Sequence, residues 1–107
     1  MTYFYDMEFI ETSIFTKQVV KLLPDKGYQK LQSILMLNPD AGAIIKGSGG
    51  LRKVRWNRPD EGKRGSLRVI YYFDQPETIY MLFMYKKNEQ EDLTPEQVKI
   101  LKKNDQG

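Results

Sequence analysis

Between Tyr3 and Ile10 the apolar residues Phe4, Met7 and Phe9 fall among polar ones in a weak alternation, which predicts a strand. The period then changes. Ile14, Phe15, Val19, Leu22 and Leu23 recur at helical spacing behind Thr12 and Ser13, either of which can cap the helix. Pro24-Asp25 breaks this helix and begins another, whose stripe runs through Tyr28, Leu31, Ile34, Leu35 and Leu37. It stops before Asn38-Pro39, because a residue that precedes proline disfavours the α region. Two helices with one short break make a hairpin, and a hairpin must bury its stripe against something.

The following pattern supplies a sheet. After a loop rich in glycine (Gly42, Gly47, Gly49, Gly50), Leu51 to Asn57 reads as a strand. Leu67 to Phe73 is apolar on both faces and is therefore expected to be central. Asp74 to Glu77 forms a turn, and Ile79 to Tyr85 is a further run of strand formers. Thr94-Pro95-Glu96-Gln97 then opens a last helix: Thr94 is the N-cap, Pro95 occupies the first turn, and Gln97 completes a capping box. Val98 and Leu101, with Ile100 beside them, would dock it. The expected fold class is α+β: an N-terminal strand and a helical hairpin packed on a small antiparallel sheet, with a short C-terminal helix. At 107 residues, one domain spanning 1–107 is expected.

Composition removes several chemistries. The chain has no Cys and no His, so thiolate nucleophiles, zinc–cysteine sites and histidine-dependent hydrolysis are excluded. No metal or cofactor is implied. Any acid–base work falls to Tyr, Lys, Arg, Asp or Glu. No apolar run approaches the roughly 20 residues that span a bilayer, and the N-terminus, interrupted by Asp6 and Glu8, does not read as a signal peptide. The expectation is a cytoplasmic protein with no membrane partner. The glycines from Gly47 to Gly50 resemble a phosphate loop only superficially, since the lysine and the helix that should follow are missing.

Charge is what distinguishes the chain. Between Lys46 and Arg68 stand eight basic residues (Lys46, Arg52, Lys53, Arg55, Arg58, Lys63, Arg64, Arg68) against two acidic ones, Asp60 and Glu61. The whole chain carries only +3, so the remainder is net acidic and the positive charge is a local patch. Strand alternation sorts this patch. With Val54 and Trp56 directed to the core, Lys53 and Arg55 share the open face. Arg68 joins them by ordinary cross-strand pairing, and Tyr85 and Lys87 share a face of the last strand with Met81 and Phe83. Lysine and arginine also decorate solvated strands. Like charges gathered on neighbouring strands repel, however, and their clustering is better explained by an anion among them.

Four motifs in order now carry a resemblance: Leu51-Arg-Lys-Val-Arg55, Gly62-Lys-Arg-Gly65, Arg68-Val-Ile-Tyr-Tyr72, and Tyr85-Lys-Lys-Asn-Glu89 followed by Asp92-Leu93. With the preceding helical hairpin, they resemble the RelE superfamily of bacterial toxins over nearly the whole chain. The likeness is greatest to its HigB branch, which belongs to type II toxin–antitoxin systems. The resemblance implies a toxin that enters the ribosomal A site and cleaves messenger RNA through the RNA's own 2′-OH, neutralised by a cognate helix-turn-helix antitoxin. It assigns catalytic work to Lys53, Arg55, Arg68, Tyr85 and Lys87, with Arg68 stabilising the phosphate. Arg52, Lys63 and Arg64 are expected to hold the RNA. Where RelE carries an arginine after that lysine this chain has Asn88, and Leu93 or Thr94 stands where RelE has a C-terminal tyrosine. The general base is thus left open between Tyr85 and Lys87. Two other readings tolerate the same cations: a ParE-like gyrase inhibitor on the same scaffold, and a non-catalytic RNA-binding module.

Overall fold

The computed structural model describes residues 7–23, 25–57 and 66–104, with the backbone alone for 103 and 104. Its elements are β1 (Glu8–Glu11), α1 (Ser13–Leu22), α2 (Asp25–Leu37), β2 (Ala43–Ile44), β3 (Arg52–Asn57), β4 (Ser66–Asp74), β5 (Thr78–Lys86) and α3 (Pro95–Asn104). They build an α+β fold around one five-stranded sheet in the order β1-β5-β4-β3-β2. Strands β2 to β5 pair antiparallel, and β1 joins the far edge parallel to β5. The central place of β4 explains why it is apolar on both faces: Leu67, Val69, Ile70 and Tyr71 are all fully buried. The residues Tyr3 to Asp6 of the expected first strand lie outside the described residues.

One sheet face carries the helical hairpin. Phe15, Val19 and Leu23 from α1 and its end, and Leu31 and Leu35 from α2, pack on Leu67, Val69, Tyr71, Ile79, Met81 and Met84. Thr12 caps α1, accepting from Phe15 N at 3.0 Å while its hydroxyl donates to Leu82 O at 2.8 Å. Tyr28 packs at a tilt against Phe15 and donates to the Glu11 carboxylate at 2.6 Å, joining α2 to β1. Burial and that carboxylate push the Tyr28 hydroxyl well above the usual phenol range. The α2 seam is narrower than its sequence suggests. Ile34 and Leu37 remain 43% and 88% exposed, because the contact follows the i, i+4 line through Leu31 and Leu35, and each residue step turns a helix by about 100°.

The other face is partly closed by α3. Leu101 packs with Leu51, Ile70, Leu82 and Tyr85 in a second cluster. The expected capping box is present, Gln97 N donating to Thr94 Oγ1 at 3.1 Å and Thr94 N to Gln97 Oε1 at 3.0 Å. Between these clusters the register of β5 slips: Ile70 faces Phe83 and Tyr71 faces Met81, leaving Leu82 without an opposite residue on β4. This bulge transfers Met81 to the hairpin core, so it does not share the face of Tyr85 as strict alternation requires. Among the described residues no helix is long and apolar enough to cross a membrane.

The glycine loop serves the backbone. Gly47, Gly49 and Gly50 adopt φ of 74°, 77° and 105°, which residues with a side chain rarely adopt. Buried Ser48 closes the loop by donating to Ile45 O and accepting from Leu51 N at 3.0 Å. Its polar groups are spent on the turn itself.

Candidate functional site

Register brings cations of two strands together beside a tyrosine of a third. Arg55 of β3 sits opposite Arg68 of β4, and Arg68 sits opposite Tyr85 of β5. Lys53 lies one pleat along β3 on the same face. An open cleft of about 400 Å³ is lined by Lys53, Arg55, Arg68 and Lys87, together with Ala43, Glu91 and Asp92. Four of the five residues expected to be catalytic therefore line one space. The fifth, Tyr85, is the cross-strand neighbour of Arg68 and is buried in the second cluster.

Their settings differ. Arg55 and Lys87 are exposed. Arg68 is only 5% exposed, and its guanidinium donates to Ser66 Oγ at 2.8 Å and more weakly to Leu67 O at 3.5 Å. A buried cation placed opposite a second arginine is costly unless an anion is brought to it. Tyr85 is buried too, and among the described residues its hydroxyl has no hydrogen-bond partner. Burial raises its pKa, the nearby Asp92 carboxylate raises it further, and Arg68 offsets part of the shift. Its hydroxyl is therefore neutral at physiological pH: a donor without an acceptor, and not a ready base.

Asp92 was given no role by sequence reasoning, yet it stands within the cluster. Its Oδ1 accepts from Lys53 Nζ at 2.8 Å. That hydrogen bond and the Lys53 charge, with help from Arg68, hold its carboxyl below the usual carboxylate range. Ser66 and Glu91 were likewise missed. For the acidic residues the available signal was the run Glu89-Gln-Glu-Asp92 one residue after Lys86-Lys87, which places opposite charges close together.

Arg52 is not part of this cluster. It pairs with Tyr71 across the sheet, and its guanidinium donates to Gly42 O at 2.7 Å and meets Asp40 Oδ1 at 3.1 Å. These bonds tie down the segment between α2 and β2 and give Arg52 a structural partner set. Lys63 and Arg64 lie outside the described residues. Trp56, expected in the core, is half-buried against the hairpin cluster.

The sequence matches the family model of the RelE toxin of the RelE / RelB toxin-antitoxin system over residues 40–106. Among solved structures, a doubly substituted mutant of the E. coli toxin RelE in the free state is similar with a TM-score of 0.56. The alignment has 15% identity and covers 80% of this chain and 88% of that one. At such identity the likeness concerns the fold alone.

Proposed function

Because this chain belongs to the RelE toxin family and is thus a toxin of a toxin–antitoxin system, we propose that it is a ribosome-dependent mRNA endoribonuclease whose active site is the cationic cleft. The observation that carries this reading is the convergence of Lys53, Arg55, Arg68 and Lys87 on one cleft, backed by a buried tyrosine hydroxyl that has no partner among the described residues. An RNA phosphate supplies what that arrangement lacks. It brings anionic oxygens to Arg68 and Arg55 and an acceptor to Tyr85.

The chemistry follows from these groups. The 2′-oxygen attacks the adjacent phosphorus, the bond to the 5′-oxygen breaks, and the products are a 2′,3′-cyclic phosphate and a 5′-hydroxyl. The two arginines stabilise the charge that builds on the phosphorane. Tyr85 donates a hydrogen bond to it or orients the base. Proton removal from the 2′-OH then falls to a lysine in its amine form, and exposed Lys87 is the candidate with access to solvent; the ammonium so formed, or water, returns a proton to the leaving 5′-oxygen. A site without histidine moves protons poorly and stabilises charge well. Alignment of the 2′-oxygen, phosphorus and leaving oxygen must therefore come from elsewhere, and the ribosomal A site provides such a frame.

In the same reading the 107 residues act as a single domain in the cytoplasm, where translating ribosomes are found. The antitoxin that the family implies is a helix-turn-helix protein, and Tyr85-x-Lys87 relates the chain to the HigB branch. The test is a purified translation system supplied with this protein. Cleavage of the mRNA only when ribosomes are present, leaving 2′,3′-cyclic phosphate ends, supports the reading. Intact mRNA accompanied by gyrase-dependent DNA breaks would replace it with the ParE-like alternative.

A further inference from the structure

The cleft already holds an anion of its own. The Asp92 carboxylate accepts from Lys53 at 2.8 Å and lines the same cleft as Arg55, Arg68 and Lys87. Its charge is felt both by Arg68 and by the Tyr85 hydroxyl. A phosphate seated at Arg55, Arg68 and Tyr85 would also draw on Lys53, the cation that Asp92 bonds. Asp92 stands on a braced loop. Gln90 Nε2 donates to Asp92 O and to Gln97 Oε1, both at 2.9 Å. The same Gln97 oxygen accepts from Thr94 N at 3.0 Å, which fixes the loop to the N-terminus of α3. Leu101 in turn docks α3 on the cluster that contains Tyr85. The turn after β5 adds Glu89 N and Gln90 N donating to Lys86 O at 3.0 and 3.3 Å.

We propose that Asp92 is a built-in competitor for the RNA phosphate, a carboxylate that the β5–α3 loop places in the anion seat and that the substrate must displace from Lys53. This deepens the RNA-cleaving reading of the cleft and rests on it. Asp92 sets a threshold for binding. A lone phosphate or a short RNA gains one set of contacts and loses the Lys53–Asp92 pair. A strand whose neighbouring phosphates are held by a larger body keeps the gain and tolerates the loss. Because the carboxylate is largely exposed, its displacement is easy, and the threshold is a modest one. The rival role is positioning: Asp92 would hold Lys53 in its working rotamer. The two roles predict opposite signs.

The experiment is fluorescence anisotropy of the full chain with a 5′-fluorescein RNA hexamer carrying 2′-O-methyl groups, which cannot be cleaved. Asp92→Asn is expected to bind about 3- to 10-fold more tightly than the unsubstituted protein. Glu91→Gln, without the contact to Lys53, is expected to change affinity less. In the unsubstituted protein, hexamer binding is expected to move the Asp92 carboxyl carbon resonance as its lysine partner is withdrawn. Equal or weaker binding by Asp92→Asn overturns the inference while Arg55→Ala still weakens binding. If Arg55→Ala leaves affinity unchanged, the cleft is not the RNA seat and the parent reading falls, with the inference following it. Arg55 and Asp92 are both exposed, so neither variant is at risk of failing to fold.

Discussion

Tyr71 and Tyr85 are both buried on the same sheet, on opposite faces. The Tyr71 hydroxyl is fully used: it donates to Pro39 O at 2.7 Å and accepts from Gly42 N at 2.9 Å. The Tyr85 hydroxyl has no partner among the described residues. The difference extends to the surroundings. The hairpin face is an apolar core in which, among the described residues, Trp56 Nε1 is the buried side-chain polar atom left unpaired. The cleft face has a buried arginine opposite an exposed one and an acidic loop drawn in against a lysine. A polar group left unpaired inside a protein costs stability, and such costs are usually retained where a ligand relieves them. One face makes the fold; the other keeps its polar groups for a visitor.

The sharpest way to break this contrast is to remove a large side chain from each face. Phe15→Ala, in the hairpin core, is expected to lower stability by about 3–5 kcal/mol in urea unfolding. Arg55→Ala is expected to stay within about 0.5 kcal/mol of the parent while reducing mRNA cleavage on the order of 10-fold or more. A cleft that stabilised the fold as strongly as the core would reverse that order.

The two tyrosines give a finer test. Tyr71→Phe strands Gly42 N and Pro39 O and is expected to cost about 1–3 kcal/mol. Tyr85→Phe removes an unpaired hydroxyl, so its stability is expected to be unchanged or slightly higher, within about 0.5 kcal/mol, as cleavage falls. Equal stability losses for the two variants would show that Tyr85 has a structural acceptor. Gly42→Ala probes the same tie from the backbone side. A Cβ there would lie 2.8 Å from Tyr71 Cε1 and 3.0 Å from Lys53 O, and the expected cost in thermal or urea unfolding is about 1–3 kcal/mol.

The smallest effect is electrostatic. The Asp92 pKa is depressed in the folded protein, chiefly by Lys53. The pairing thus contributes above the ordinary carboxylate pKa and is lost as the pH falls through the depressed value. Carbon-detected NMR should find Asp92 titrating below 3.8, and Lys53→Ala should move it upward. A titration unaffected by the lysine would dissolve the pair.

How far the sequence foretold these faces depends on the residues in question. Periodicity and capping located both helices of the hairpin, the central β4 and the capping box of α3, because each is a local signal written within a few residues. Alternation also placed Lys53, Arg55, Arg68 and Tyr85 on one face. The parallel pairing of β1 with β5, the two-residue β2 and the bulge at Leu82 arise from contacts between distant segments. No local pattern encodes them. The bulge matters most, since one extra residue reverses the facing of Met81. Arg52, expected to hold the RNA, is met by Asp40 and Gly42, and Asp92, given no role by the sequence, is met by Lys53. A side chain's partner is a tertiary fact.

Arg68 is where the contrast becomes a claim about function. The most direct measurement is the single-turnover rate at which Arg68→Ala cleaves ribosome-bound mRNA, compared with the parent protein, with circular dichroism reporting that the variant is folded. A loss on the order of 10²-fold is expected if the cleft stabilises the phosphorane. A folded variant that cleaves at the parental rate would contradict the account.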